Sequence, residues 1–370
     1  MKRLKRVLKI LIVNSVLLTI GIVIIELAFG EWLGTSKLNR LNLIKNYHNT
    51  CDVSHLYKSP NPIIVYSRDK YGLRGSHSNP GSIDILTVGG STTDQRAISD
   101  GATWQDVLQN RFKQTGVTVI VANAGVDGQS TFGHIMNFKW WFPNIPNLAP
   151  DYILFYIGLN DFYIDAGNTY DHLLDENRSF NLRRHIQENS VLWHIARTLR
   201  GTYEAMVVRQ IGHRSIDFKE LQWTRRALQD DYSFMQRRLD AYADRLRILA
   251  DKTYDFRAKP IFVSQQSRKY RITPHGIEGE GTVSSYEGHP INGVDYFHMM
   301  RRLNSVTKAV ADEKGAIFID LASHTSWTDD DFYDFEHMTP QGVKKIGTIL
   351  YEVLRSIIPA AKQPEPNNLT

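Results

Sequence analysis

Residues Ile83 to Asp94 read IDILTVGGSTTD. An aliphatic, β-branched run stops at two glycines, and a serine follows at once. Such a run bounded by glycine predicts a buried strand entering a tight turn. In open α/β sheets, ligands gather beyond the carboxyl ends of the strands. Ser91 is therefore a candidate nucleophile. The same letters also suit an ordinary Gly-Gly-Ser-Thr-Thr loop, so the rest of the chain has to decide.

The pattern recurs downstream. Val117–Val121 runs into a glycine turn holding Gly125 and Gly128, and Tyr152–Ile157 ends in Gly158-Leu-Asn160-Asp161. Lys259–Ser264 and Gly315–Asp320 read as a fourth and a fifth strand. Apolar residues at Trp104, Val107, Leu108 and Phe112 predict a helix. Further helices are expected over about 293–314 and from Thr339, a suitable cap, with Pro340 in the first turn. Strands alternating with helices predict a mostly parallel sheet, on whose edge Ser91, Gly128 and Asn160 would converge. The Trp140, Trp141, Phe142 cluster reads as core.

The remaining stretches read less clearly. Residues 31–80 look like an irregular lead-in with a short strand at Ile63–Tyr66 and a turn at Asp69–Gly75, in which Arg74 reads as structural. Residues 162–258 are polar and helical, long for one crossover, and read as a helical insertion; Tyr232 through Leu249 carries its amphipathic stripe. Residues 265–292, with Gly276, Gly279, Gly281, Gly288 and Pro290, predict a flexible loop or lid. The tail, 361–370, is expected to be disordered.

Bulk properties narrow the class. The chain has 370 residues, 42% hydrophobic and 22% charged, with a net charge of +5. Lys2, Arg3, Lys5, Arg6 and Lys9 face only Glu26 within the first 29 residues and supply +4 of that charge. The rest is nearly neutral, which argues against a nucleic-acid surface. The single Cys51 allows no intrachain disulfide and no cysteine-based zinc site. After the basic flank, Ile10 to Phe29 is long enough to cross a bilayer as a helix. The flank predicts a cytoplasmic amino terminus. The expected organisation is therefore a basic flank and transmembrane anchor over 1–30, the lead-in over 31–80, and an extracytoplasmic (periplasmic) domain over 81–360, single-pass in the inner membrane. A cleaved signal peptide shares the layout, but LAFGEWLG offers no small-x-small cleavage site.

Asp334-Phe-Glu-His337 precedes the last helix. An aspartate three residues before a histidine can hold imidazole Nδ1–H and leave Nε2 to take a serine proton. The order Gly89-Gly90-Ser91, Gly128, Gly158-x-Asn160-Asp161, then Asp334-x-x-His337 resembles the SGNH/GDSL hydrolases over about residues 83–358. The resemblance implies a three-layer α/β/α flavodoxin-like fold with a central parallel sheet. It implies Ser91 as nucleophile, His337 as general base and then acid, and Asp334 as its orienting partner. It implies an oxyanion hole made by the backbone N–H of Ser91 and Gly128 with the Asn160 side chain, and no metal or organic cofactor. One departure stands out: the family's aspartate before the serine is Gly90 here. With the anchor and the insertion, the chain looks more like the membrane-anchored members associated with bacterial cell-surface polysaccharides.

An α/β-hydrolase elbow, Gly-x-Ser-x-Gly, is not met, since position 93 is Thr93. The acidic stretch Thr328–His337 lacks EF-hand spacing and reads as a solvated loop. His134, His194 and His298 read as packing or surface residues, and Asp94 and Asp161 as supporting hydrogen-bond partners. The expected activity is serine ester hydrolysis through an acyl-enzyme, removing O-acetyl groups from a polysaccharide. The rivals are an O-acyltransferase using the same residues and a non-catalytic glycan-binding protein.

Overall fold

The structure is a computed structural model and describes residues 2–30, 32, 43–164, 186, 189–193, 195–196, 199, 213–324 and 326–358. The chain divides into two units, Met1–Asn42 with Leu174–Gln210, and Leu43–Leu173 with Ile211–Thr370. In the first unit, α1 (Lys2–Phe29) is a single 28-residue helix. Within Leu4–Phe29 an 18-residue window reaches a mean hydropathy of 2.5. Among the described residues it is the one helix long and apolar enough to cross a membrane.

The second unit begins with β1 (Tyr47–Asp52) and β2 (Ile63–Arg68), an antiparallel pair. Then come β3 (Ile85–Gly89), α2 (Ser91–Asp94), α3 (Trp104–Gln114), β4 (Val121–Gly125), α4 (Thr131–Trp140), β5 (Tyr152–Tyr156) and α5 (Leu159–Tyr163). β6 (Trp223–Thr224), the helix Gln236–Asp255 and β7 (Lys259–Val263) follow. Next are β8 (Tyr270–Thr273), β9 (Gly276–Glu280), β10 (Ser284–Tyr286), β11 (His289–Ile291), the helix Gly293–Lys314, β12 (Ile317–Ile319) and the helix Pro340–Leu354.

Five strands form one parallel sheet in the order β12-β7-β5-β3-β4. Counted along the chain this is the doubly wound flavodoxin-like order, whose ligands bind where the strand order reverses. Gly89 lies level with Gly125 and with Tyr156, and Tyr156 with Val263, so the carboxyl ends are flush. On one face Ile85, Leu154, Tyr156, Ile261 and Val263 pack against Trp104, Leu108 and Phe112 of α3 and against Val343, Ile346, Leu350 and Leu354 of the last helix. On the other, Phe155 stacks on Phe262 at 5.2 Å and meets Phe138 of α4. α4 packs with Gln236–Asp255, which packs with Gly293–Lys314. The result is the expected three-layer α/β/α arrangement, and Trp141 and Phe142 are fully buried in it.

Several local readings change. The lead-in is ordered where β1 and β2 pair. After them the Arg74 N–H donates to the Asn123 carbonyl at 2.9 Å and covers the outer edge of β4. The second parallel strand is Val121–Gly125, displaced from Val117–Val121. Its small residues Ala122, Ala124 and Gly125 carry little hydrophobic signal, and its Asn123 is buried because Nδ2 donates to the Thr93 carbonyl at 2.7 Å. The amphipathic stripe from Leu239 to Leu249 is real, but its helix is the crossover between β5 and β7 and belongs to the body. The 265–292 lid is absent: this stretch forms β8 and β9, joined by β6, and the hairpin β10–β11. Its glycine content reflects close packing, since a Cβ on Gly279 would lie 2.0 Å from the Val294 nitrogen. The acidic loop is only partly solvated. Asp331 is buried and takes the Thr328 N–H at 2.9 Å and Lys345 Nζ at 2.8 Å. Residues 165–185 and 200–212 of the expected insertion, His194 and the tail 361–370 lie outside the described residues.

α3 and the last helix touch at Gly347, where a Cβ would lie 2.6 Å from Val107 Cβ and 2.7 Å from the Trp104 carbonyl oxygen. Overpacking of this kind costs roughly 1–3 kcal/mol. Gly347→Ala is expected to lower stability by that amount in urea unfolding followed by near-ultraviolet circular dichroism. An unchanged midpoint would show that the helix pair can spread without cost.

Candidate active site

Ser91 is the first residue of α2, a helix of four residues that starts directly at the carboxyl end of β3. The first N–H groups of a helix have no intrahelical acceptor, so the Ser91 amide is available at the sheet edge. α2 stops at Gln95, whose φ of 55° is left-handed. It sits close on the sheet: a Cβ on Gly125 would lie 2.4 Å from the Asp94 nitrogen.

Asp94 fixes the floor of this turn. Its carboxylate is fully buried and accepts from Arg68 Nη2 at 2.7 Å, Tyr66 Oη at 2.9 Å and Arg96 Nε at 3.2 Å. Burial alone would raise its pKa; Arg68, Arg96 and Arg74 outweigh burial and hold it below the ordinary value. Arg74 donates to the carbonyls of Asp94, Gln95 and Ile98 and to the Asp100 carboxylate. It is structural, as expected. Behind α2, Gln105 Nε2 bonds Thr87 Oγ1 at 3.0 Å and the Thr93 carbonyl at 3.2 Å. Nothing in this packing leaves α2 free to rotate.

The relay reaches Ser91 from the far end of the chain. His337 Nε2 lies 2.8 Å from Ser91 Oγ, and His337 Nδ1 lies 2.7 Å from Asp334 Oδ2. The Tyr333 N–H closes the turn on the His337 carbonyl at 3.0 Å. Asp334 Oδ1 accepts the backbone N–H of Glu336 at 2.8 Å and of His337 at 2.7 Å, so aspartate and imidazole are held as one piece. Thr339 then caps the last helix by accepting the Gly342 N–H. Burial works against a charged His337, yet the Asp334 hydrogen bond and the charges of Asp334, Glu336 and Asp127 win and raise its pKa above 6.5. Asp334 stays below its ordinary value, because His337 and the two N–H groups overcome burial.

Asn160 and Gly128 come from the neighbouring strand ends. Asn160 stands in the first turn of α5 after Gly158, whose φ is 125°. Its Nδ2 donates to the Gln129 carbonyl at 2.8 Å, which leaves that group one further N–H. A Cβ on Gly90 would lie 2.3 Å from Asn160 Nδ2. A side chain at position 90 would therefore require the Asn160 amide to move. Gly128, with φ 74°, occupies a turn closed by the Gln129 N–H on the Val126 carbonyl at 3.0 Å. Below it, Asp161 is buried. It accepts from the N–H and hydroxyl of Thr131 and from Arg245 Nη2 at 3.2 Å, and burial pushes its pKa up to about 6.

Three groups at the site carry no recognisable sequence signal. The His213 ring stacks on His337 with centroids 4.3 Å apart, and its Nδ1 meets Tyr333 Oη at 2.8 Å. Burial and the neighbouring His337 lower its pKa. Glu336 is pushed up to about 7 by burial. Its Oε1 accepts from Tyr296 Oη at 3.1 Å and Ser267 Oγ at 3.2 Å, and its Oε2 has no partner. Asp127, beside Gly128, pairs with Arg96 Nη1 at 3.1 Å. His213 follows residues with no motif, so only the three-dimensional arrangement identifies it. Among the described residues, His213, Asp334 and His337 could together hold a metal ion, their ligand atoms lying within 4.8 Å. In the arrangement seen, both nitrogens of His337 are already engaged by Asp334 and Ser91. His134 is a packing residue, as expected: its Nδ1 meets Gln129 Oε1 at 2.9 Å, and burial lowers its pKa to about 3. A polar cleft of about 460 Å³ lies along β4, lined by Arg74, His77, Asp100 and Asn123 among others, and none of the residues discussed as nucleophile, base or acid borders it.

No family model matches the chain, and no curated protein does. Solved structures match at a distance. TesA aligns at 13% identity with a TM-score of 0.42, over 74% of this chain and 99% of its own. The psychrotrophic esterase EstA from Pseudoalteromonas sp., in a structure inhibited by monoethylphosphonate, aligns at 11% identity and 0.41, over 74% and 97%. A variant of Axe2, an acetyl-xylooligosaccharide esterase from Geobacillus, aligns at 14% and 0.40, over 75% and 96%. These distant likenesses leave the chemistry to be read from this chain's own residues.

The balance at His337 has a direct readout. Histidine NMR on carbon-labelled protein is expected to give a His337 pKa above the ordinary 6.5. In Asp334→Asn, burial is no longer outweighed, and the value is expected to fall below that of the parent protein. A titration unmoved by the substitution would show that Asp334 does not set the charge of the imidazole.

Proposed function

We propose that the chain is a serine ester hydrolase of the SGNH/GDSL kind. The observation that carries this is the unbroken relay Ser91 Oγ–His337 Nε2–Asp334, at 2.8 and 2.7 Å, assembled at flush strand ends. A serine hydroxyl is a weak nucleophile until a base takes its proton. Here His337 accepts that proton as Oγ attacks the ester carbonyl carbon, and Asp334 stabilises the imidazolium. Charge developing on the carbonyl oxygen is met by the N–H groups of Ser91 and Gly128 and by the free N–H of Asn160. Such preorganised donors supply most of the rate in acyl transfer. His337 returns the proton to the departing alcohol, leaving acyl-Ser91. Water, deprotonated by the same imidazole, then attacks the acyl carbon, and the carboxylate leaves as Ser91 recovers its proton.

The proposed substrate is an O-acetylated cell-surface glycan. The Arg96–Asp127 pair and His213 give the surroundings of His337 a polar, hydrogen-bonding character suited to a hydroxylated alcohol. α1 is proposed to span the inner membrane once, its basic flank in the cytoplasm and the catalytic unit on the periplasmic side.

The full chain in detergent is expected to be labelled by a fluorophosphonate and to hydrolyse acetyl-nitrophenol. Ser91→Ala should abolish labelling and lower kcat by roughly 10⁴-fold or more. Asn160→Ala should lower kcat by about 10²–10³-fold with little change in KM. Labelling that persists in Ser91→Ala sinks the assignment. Adding an acetyl-free oligosaccharide tells hydrolysis from transfer: free acetate supports the esterase, and acetylated sugar would make the chain an O-acyltransferase.

A further inference from the structure

Glu26 is a carboxylate three residues before Phe29, the end of α1, and the one charged residue after Lys9 in that helix. An ionised group there is costly unless its oxygens are satisfied. They are. Oε1 accepts from Ser190 Oγ at 2.6 Å and the Leu192 N–H at 3.2 Å, and Oε2 from the Val191 N–H at 3.1 Å and Trp32 Nε1 at 2.7 Å. Residues 190–192 are more than 160 positions away in sequence, yet they belong to the same unit as α1.

The donors form a helix start. Val191, Leu192 and Trp193 are helical, and Ser190 caps them by accepting the Trp193 N–H at 3.1 Å. The first N–H groups of a helix lack internal acceptors, and its dipole favours a negative charge there. Glu26 supplies that charge, so the carboxylate and the helix start satisfy each other. Beyond this cap the apolar side chains face outward: Leu192 is 38% exposed, Trp193 39%, Ile195 47% and Leu199 65%. Positions 192, 195 and 199 repeat at helical spacing along one face, and the sequence interleaves Arg197 and Arg200. Exposed leucine, isoleucine and tryptophan in a stretch whose sequence also carries arginine is the composition of an element that lies in a bilayer interface.

Its depth follows from α1. Leu4–Phe29 has 26 residues and is about 39 Å long at 1.5 Å per residue, against a hydrocarbon core of about 30 Å. Glu26 therefore falls near the headgroup level, and Ser190 with it. We propose that the segment begun by Ser190 is a second membrane attachment, with Leu192, Trp193, Ile195 and Leu199 seated at the headgroup–acyl boundary of the leaflet where α1 ends. This rests on the reading of α1 as a membrane-spanning helix.

The test uses the full chain with Cys51→Ser, reconstituted into vesicles of phosphatidylcholine and phosphatidylglycerol. One cysteine is introduced at a time, by Val16→Cys, Leu192→Cys, Ile195→Cys or Ile248→Cys, and labelled with an environment-sensitive fluorophore. Nitroxide lipids then quench at shallow or deep positions. Labels at 192 and 195 are expected to be quenched at least twofold more by the shallow nitroxide than by the deep one, the label at 16 more by the deep one, and the label at 248 by neither. If the label at 16 is unquenched, α1 is not in the bilayer and both readings fall. If it is quenched while 192 and 195 behave like 248, the membrane helix stands and the second attachment is overturned. Blue-shifted but unquenched labels at 192 and 195 mean that a protein surface covers the segment, and they overturn the second attachment too. Adding Glu26→Ala is expected to lower shallow quenching at 192 and 195 at least twofold without changing 16. No change would overturn the part assigned to the carboxylate.

Discussion

The buried ion pair between Asp94 and Arg68 is the constraint on which the geometry of the proposed site depends. Asp94 lies three residues after Ser91, and Arg68 ends β2 in the lead-in. Arg68 also bonds the carbonyls of Gly72 and Gly125 and the hydroxyl of Tyr66. One guanidinium therefore ties together the lead-in, the turn that carries Ser91 and the end of β4. A buried pair contributes little net stability compared with apolar replacements, but leaving one partner unpaired costs about 3–5 kcal/mol. Its value lies in position: the carboxylate of Asp94 is held by three donors, and the placement of α2 that this fixes sets Ser91 against His337.

Much of this was legible along the chain, for definable reasons. Four of the five strands, β3, β5, β7 and β12, and the landmarks Ser91, Gly128, Asn160, Asp334 and His337 announce themselves through local letters, namely apolar runs, glycine turns and an aspartate spaced three from a histidine. The fold and the relay distances follow from them. The unread parts depend on partners far away in sequence. Arg68 has no local pattern that names Asp94. His213 stacks on a residue 124 positions later. The 265–292 stretch reads as flexible because its glycines look permissive, whereas Gly279 and Gly293 are there so that backbone can pack on backbone. Hydrophobic periodicity also misses β4, whose small residues are buried because α2 and Arg74 cover them.

Gly90 and Asn160 share one close contact. A Cβ on residue 90 would lie 2.3 Å from Asn160 Nδ2, which itself donates to the Gln129 carbonyl next to Gly128. Electrostatics then divides the surrounding acids by environment: Asp334 is held ionised by two N–H groups and an imidazole, while Glu336, two residues on, is pushed up to about 7 by burial with Oε2 unpartnered.

The Arg74 bridge to Asn123 bears on solubility as well as on shape. β4 is a terminal strand of the parallel sheet, and an open edge is a template for another chain's backbone. With the Arg74 N–H already on the Asn123 carbonyl and its guanidinium fastened to three further carbonyls, that edge is closed from within the molecule. The opposite edge, β12, has only three residues. The sheet therefore offers neighbouring molecules little unpaired backbone, a protection against strand-by-strand aggregation.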